Sequence, residues 1–347
     1  MSEAPQGYQG FIQSGPDEAT YMRGIVLFGE NTASYKFALT RALLDLAEQQ
    51  YTSVTLHELA PHFAGHILRH VRAGKVQGTM RSSVFLDAAQ AHLDGQMNLE
   101  EFHAVTAQHA FRYVLDLYHR LPGGESSVQF YVQERKPRRL VLTDELLSLS
   151  ADQRGQLTHE TEARWHLVEH AWTQTREGHR EARRIAFDSS SEELVLVPWR
   201  HQTRKALTKF RPALSGYQKG RCFYCFAEVD LNDTVLSHVD HFFPWSLGFR
   251  LTDTDLNGVW NLVLACAECN AGPGGKFDAI PDRRFLERLH RRNSYLIDSH
   301  HPLRESLMRE TGGSAQERWT FLYRLWERLR EWQSRSWNGR PTSGRPF

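Results

Sequence analysis

The chain has 347 residues, 24% charged and 40% hydrophobic, which suits a globular protein of two or three domains. A formal net charge of +1 provides no global basic field to announce nucleic acid, and no apolar stretch approaches the length of a membrane helix. No signal-peptide pattern opens the sequence, so a cytoplasmic location is expected and an oxidising one is not.

Residues 1–19 are polar and carry glycine and proline. They read as loosely ordered, with the GYQGF segment (7–11) as a candidate for packing. Ile25 to Phe28 reads as a short strand or turn. TASYKFALTRALLDLAEQQ (32–50) is predicted to be a helix, with Leu39, Leu43 and Leu46 on one face. Thr55 and Glu58 form a capping box for a second helix, and Val54 with Leu59 forms its hydrophobic staple. Asn98 and Glu101 offer another capping box, before a helix expected to run through Leu121.

Val128–Val132 and Arg139–Leu142 alternate apolar and polar like strands. Helix returns around Thr161–Gln174, with Trp165, Val168 and Trp172 on one side. Arg184–Phe187 and Leu194–Val197 read as a hairpin across DSSSEE. The segment Arg200–Arg221 holds seven Lys/Arg and no acid, and is read as a basic helix. Asp282–Arg292 holds five Arg against two acids. Helices are expected near Pro281–Ile297 and Ala315–Gln333, the last with Trp319, Leu322, Trp326 and Leu329 as a core stripe.

Two metal-like or nucleotide-like segments fail on spacing. HELAPHFAGHILRH (57–70) lacks His-Glu-x-x-His. Its Glu58, His62, His66 and His70 share one helical stripe and are read as a solvated or partly buried face. LFGENTASYKFALTRALL (27–44) lacks the Gly-x-x-x-x-Gly-Lys of a phosphate-binding loop.

All four cysteines lie in two Cys-x-x-Cys pairs, Cys222/Cys225 and Cys266/Cys269. Two such pairs supply the four ligands of a tetrahedral structural zinc with no thiol left over. Forty residues separate Cys225 from Cys266, so the insertion must itself be structured. Within it, Val235–Pro244 reads as a strand. Period two puts Ser237, Val239 and His241 on one face, and His238, Asp240 and Phe242 on the other. Asp240 and His241 therefore diverge unless the strand ends or twists there, and Pro244 supplies such an end.

The run RCFYCFAEVDLNDTVLSHVDHFFPWSLGFRLTDTDLNGVWNLVLACAECNAGPGGKFDAIP (221–281) resembles the HNH endonuclease family in its zinc-stabilised ββα-metal form. The resemblance covers roughly a fifth of the chain. It implies that His241 is the general base, Asp240 a ligand of a catalytic Mg²⁺ or Mn²⁺, and Asn270 the second protein ligand. Asn261 would hold the loop that orients the base, whereas Asn257 reads as an ordinary Asn-Gly turn. Few protein ligands leave a magnesium-type ion open to phosphate. Many family members continue CNxxK into a helix; here CNAGPGGK should stop it after one turn. Arg204, Lys205, Lys209, Arg211 and Lys276 are candidate phosphate contacts, and His238 an auxiliary ligand or phosphate contact.

These readings give an α+β protein. A mainly helical recognition or regulatory region spans residues 1–199, an HNH domain with its basic lead-in helix spans 200–292, and a helical segment spans 293–347. The resemblance implies DNA as substrate and a place in restriction or anti-phage defence, with a protein partner there. An RNA-cutting or partner-activated nuclease, or a non-catalytic zinc module binding nucleic acid, are the alternatives.

Overall fold

The computed structural model describes residues 7–80, 83–136, 138–176, 184–188, 190–197, 205–299 and 303–347. It is a mixed helix and strand structure that divides into two compact units, residues 16–180 and residues 1–15 with 181–347. Among the described residues, no helix is long and apolar enough to cross a membrane.

In chain order the elements begin with α1 (Gly7–Gln13) and α2 (Glu18–Phe28). The packing expected of GYQGF is found, whereas a helix replaces the strand or turn expected at Ile25–Phe28. GYQGF is helical and buries Phe11 completely, with its ring edge-on to Tyr295 at 5.5 Å. Ile25–Phe28 is the end of α2, not a strand: Asp17 caps the helix by accepting from the Thr20 N–H at 2.7 Å, and helical spacing buries Met22, Ile25 and Val26 together.

The first compact unit continues with α3 (Tyr35–Glu48), β1 (Ser53–Thr55), α4 (Leu56–Arg72), α5 (Val84–Leu93), α6 (Leu99–His109) and α7 (Phe111–Leu117). Both predicted capping boxes, at Thr55/Glu58 and Asn98/Glu101, are formed. The helix expected through Leu121 instead breaks at Ala110 and ends at Leu117. Beyond it, β2 (Arg120–Leu121) and β3 (Gly124–Glu125) pair around Pro122 and a left-handed Gly123 (φ 97°). Next come β4 (Tyr131–Arg135), β5 (Arg138–Leu142), α8 (Asp144–Leu147) and α9 (Ala151–Arg176). The expected strand at Val128–Val132 starts only at Tyr131. The antiparallel sheet has the order β1-β5-β4. Phe63, Phe85, Phe102 and Phe111 form the aromatic core between α4, α5, α6 and α7.

The second unit adds the predicted hairpin β6 (Arg184–Asp188) and β7 (Glu193–Val197), then β8 (Lys205–Lys209) and α10 (Phe210–Gln218). The lead-in is thus a strand followed by a helix. Residues 205–209 pair with β7 as the third strand of its sheet, and this pairing overrides helical preference. Then come β9 (Ser237–His241), β10 (Leu262–Cys266), α11 (Ala267–Asn270), β11 (Ile280–Pro281), α12 (Arg283–Asp298), α13 (Leu303–Thr311), α14 (Ala315–Trp332) and β12 (Ser336–Trp337). On α14, Leu322, Trp326 and Leu329 are buried as expected, and Trp319 is half-buried. Residues 181–199 and 293–347, set apart from 200–292 by sequence pattern, lie in the same compact unit as that stretch.

The α1 assignment has a measurable consequence. Phe11→Ala should destabilise the 181–347 unit by about 3–5 kcal/mol, the usual cost of emptying a buried phenylalanine site. Urea unfolding followed by tryptophan fluorescence would measure it, and an unchanged midpoint would place Phe11 outside the core.

Candidate metal centre and adjoining hairpin

The Cys222–Cys225 turn is built from backbone hydrogen bonds. Phe226 N–H donates to Cys222 O at 3.1 Å, and Cys222 N–H donates to Ala227 O at 2.8 Å. Tyr224 N–H points at Cys222 Sγ at 3.4 Å. The second pair spans the end of β10 and the single turn α11. The four sulfurs lie within 4.8 Å of one another, and Cys225 Sγ is 3.7 Å from Cys266 Sγ. A tetrahedron of thiolates about 2.3 Å from Zn²⁺ has edges of about 3.8 Å, so this donor set fits zinc. The hydrogen bond from Cys222 pulls the Cys225 thiol down, and the same neighbour takes Cys266 to about 7. Hydrogen bonding to Cys225 and Cys222, respectively, pushes Cys222 and Cys269 up. A cation among them would favour the ionised form of all four.

The centre anchors a two-stranded sheet. β9 and β10 are antiparallel, with His241 opposite Leu262, Asp240 opposite Val263 and Ser237 opposite Cys266. A two-stranded sheet alone is marginal, and here side chains cover the free edge of β10. The Gln218 amide accepts from Leu264 N–H at 3.0 Å and donates to Leu264 O at 2.8 Å. From α12, the fully buried Arg292 donates to Leu262 O at 2.7 Å and Asn293 to Trp260 O at 2.9 Å. Arg288 of the same helix donates to Tyr224 O at 2.7 Å and stacks on Phe226 at 3.9 Å.

Strand alternation separates the two residues at the end of β9. Asp240 is 7% exposed. Its Oδ2 accepts from the Tyr224 hydroxyl at 2.6 Å, and its Oδ1 lies 3.1 Å from Lys276 Nζ. Burial, then the Asp240 charge, holds the Tyr224 phenol far above its ordinary range, so it stays a donor. His241 turns to another partner: Nε2 lies 3.0 Å from Asn257 Oδ1, while Asn257 Nδ2 donates to Phe187 O at 2.8 Å. Burial holds the His241 imidazole below its ordinary value.

Asn261 is fully buried. Its Oδ1 accepts from Phe243 N–H at 2.8 Å, and its Nδ2 donates to Phe243 O and Leu256 O at 3.0 and 2.8 Å. It therefore clamps the loop that follows His241. Asn270 Nδ2 is 3.0 Å from His238 Nδ1, and His238 Nε2 is 2.9 Å from Val235 O. Asp240 and His238 share one face of β9, and Asn270 of α11 reaches His238. As expected, α11 ends after one turn. At Gly272 a Cβ would lie 2.8 Å from Glu268 Cα, so only glycine lets the chain fold back there.

Two of the basic candidates for phosphate contact, Lys276 and Arg211, point inward instead. Lys276 is 1% exposed; its ammonium reaches Asp240 and Phe277 O, not solvent. Arg211 is buried against Ser237 and pairs with Glu192 at 2.6 Å. Lys209 is exposed at the end of β8. The Lys205 side chain and all of Arg204 lie outside the described residues.

Asn257, read from the sequence as the less likely candidate beside Asn261, is the hydrogen-bond partner of His241. Its Asn-Gly context is an ordinary turn signal, and its anchor, Phe187 O, is 70 residues away, so no local pattern marks it. Trp245 and Phe249, in the 3₁₀ turns 245–250 just after this hairpin strand, are strongly exposed, with Arg250 beside Phe249 at 5.4 Å.

Compared with protein-family models, curated proteins and solved structures, the chain gives no match.

Cys266→Ser should cost one thiolate-bound Zn²⁺ per chain and unfold the 221–281 segment rather than alter surface chemistry alone, because folding and metal binding are coupled at such sites. Zinc analysis combined with hydrogen exchange over β9 and β10 would measure both effects. Wild-type protein without thiolate-bound zinc would overturn the assignment.

Proposed function

We propose that the protein is a metal-dependent endonuclease that hydrolyses phosphodiester bonds in DNA, in the manner of HNH enzymes. The observation that carries this reading is that Asp240, His241, Asn261 and Asn270 all lie on one hairpin and the turn that follows it, beside a zinc-fitting thiolate centre, with Asp240 and His241 on opposite faces of β9.

In this reading His241 takes the proton from the attacking water. Burial keeps its imidazole neutral near pH 7 and so able to accept. Asn257 fixes the imidazole ring, and Asn261 fixes the backbone beyond it. Asp240 and Asn270 would hold Mg²⁺ or Mn²⁺. An ion there would have to displace the Lys276 ammonium from Asp240 Oδ1. The ion supplies Lewis-acid stabilisation of the scissile phosphate and the leaving oxygen. The exposed Trp245 and Phe249 beside Arg250 suit base stacking and phosphate contact. A role in phage defence or restriction, with a protein partner, belongs to the same proposal by resemblance alone.

The Lys276–Asp240 pair also favours a second reading, a zinc module that binds nucleic acid without cutting it, because both Asp240 oxygens already have partners. Cleavage assays on supercoiled plasmid, linear duplex and RNA with Mg²⁺, Mn²⁺ or EDTA separate the readings. His241→Ala should lower the cleavage rate about 10²–10⁴-fold while leaving zinc content and nucleic-acid binding intact. Asp240→Ala and Asn270→Ala should raise the metal concentration required and be partly rescued by excess Mn²⁺. Asn257→Ala should slow cleavage by up to about 10²-fold with unchanged metal requirement, the cost of a misplaced base. Cleavage by His241→Ala at the wild-type rate would refute the mechanism.

A further inference from the structure

A second cluster of metal-ligating side chains lies in the 16–180 unit, between α4 and α9. His70 is in the last turn of α4, and His166 and Glu169 are three residues apart on α9, hence on one face. One ligand atom from each lies within 4.8 Å of the others, the only such group besides the cysteines among the described residues. Glu169 is 1% exposed, and its Oε2 is buried with no hydrogen-bond partner. A buried carboxylate oxygen left that way is costly unless a cation or donor meets it.

The surroundings are those of oriented ligands. His70 Nε2 is 3.2 Å from Glu162 Oε2, and Glu162 is held in turn by Arg41. A carboxylate on that nitrogen fixes the proton there and turns Nδ1 toward Glu169 Oε1, 2.7 Å away. The His70 ring is stacked on Trp165 at 3.8 Å with an interplanar angle of 7°. Trp165 Nε1–H donates to Gln77 Oε1 at 3.1 Å, and Gln77 Nε2 donates to Glu169 Oε1 at 2.6 Å. Ring and carboxylate are therefore both held from behind. His166 makes no hydrogen bond among the described residues, so its ring nitrogens are free to ligate. A cavity of about 430 Å³ reaches His70 and His166 and is lined also by Glu162 and by the cations Arg41, Arg69 and Lys75.

We propose that His70, His166 and Glu169 bind a borderline divalent cation such as Zn²⁺, which joins α4 to α9. The cation takes the place of the proton between His70 Nδ1 and Glu169. Two imidazoles and one carboxylate with a position left open are a donor set that suits Zn²⁺, and also Fe²⁺. Neither this site nor its metal depends on the nuclease reading.

The test is an equilibrium Zn²⁺ titration of the full chain against a chromophoric chelator. Wild type should bind two equivalents, one lost in Cys266→Ser and the other lost in His166→Ala. His166 is half-exposed, so His166→Ala should keep its circular dichroism spectrum and its thiolate-bound zinc. Gln77→Ala should weaken the second equivalent on the order of 10–100-fold. With Co²⁺, the second site should show visible bands without thiolate charge transfer. A single equivalent in wild type, or a second one that His166→Ala and Glu169→Gln leave unchanged, overturns the proposal.

Discussion

Four sulfurs drawn within 4.8 Å of one another are the constraint on which the 181–347 unit is built. Thiolates at that spacing repel, and a cation among them would offset that repulsion, so the arrangement fits a structural zinc site. Every contact around it converts that local requirement into long-range order. The first cysteine turn hydrogen-bonds to β10 through Phe223 N–H and Leu264 O at 2.8 Å. Arg288 pins the same turn to α12, and Ser343 N–H donates to Cys225 O at 2.9 Å. Residues 221–347 thus meet at one centre although their cysteines are 40 residues apart in sequence.

The hairpin beside the centre has little strength of its own. Its free edge is closed by the Gln218 amide and by Arg292, neither of which belongs to a strand. Buried side chains here do the work that a third strand does elsewhere, at the cost of burying a guanidinium whose pKa is lowered to about 9 by desolvation. What this secures is the position of the end of β9. Alternation sends Asp240 and His241 to different partners, and two asparagines, 257 and 261, fix the imidazole and the loop behind it.

The 16–180 unit handles buried charge differently. α9 has no single apolar face, and it carries inward-facing ions along much of its length. Arg23 pairs with Glu160 at 2.7 Å, and Arg41 with Glu162. Burial raises the Glu162 pKa, but His70 and Arg41 outweigh it and hold the carboxyl at about 2, so it stays ionised. Such a network specifies which helices meet more than it stabilises them, and one oxygen of Glu169 remains without a partner.

The sequence by itself determined what local chemistry dictates. Capping boxes at Thr55 and Asn98, the apolar stripe of α14, the hairpin across DSSSEE and the arrest of α11 at its glycines all follow from neighbours within a few residues. The four cysteines were legible as one site because Cys-x-x-Cys has few other uses in a chain with no further thiol. Only the tertiary structure decided the rest. Residues 205–209 became a strand because β7 offered an edge, and α1 formed because Tyr295 and its neighbours buried Phe11. Lys276 and Arg211 look like phosphate contacts in sequence, but Asp240 and Glu192 turn them inward. The anchoring of Asn257 on Phe187 and the meeting of His70 with His166 and Glu169 were not legible because each depends on a contact 70 or more residues away, and spacing along a chain cannot report a distance that folding sets.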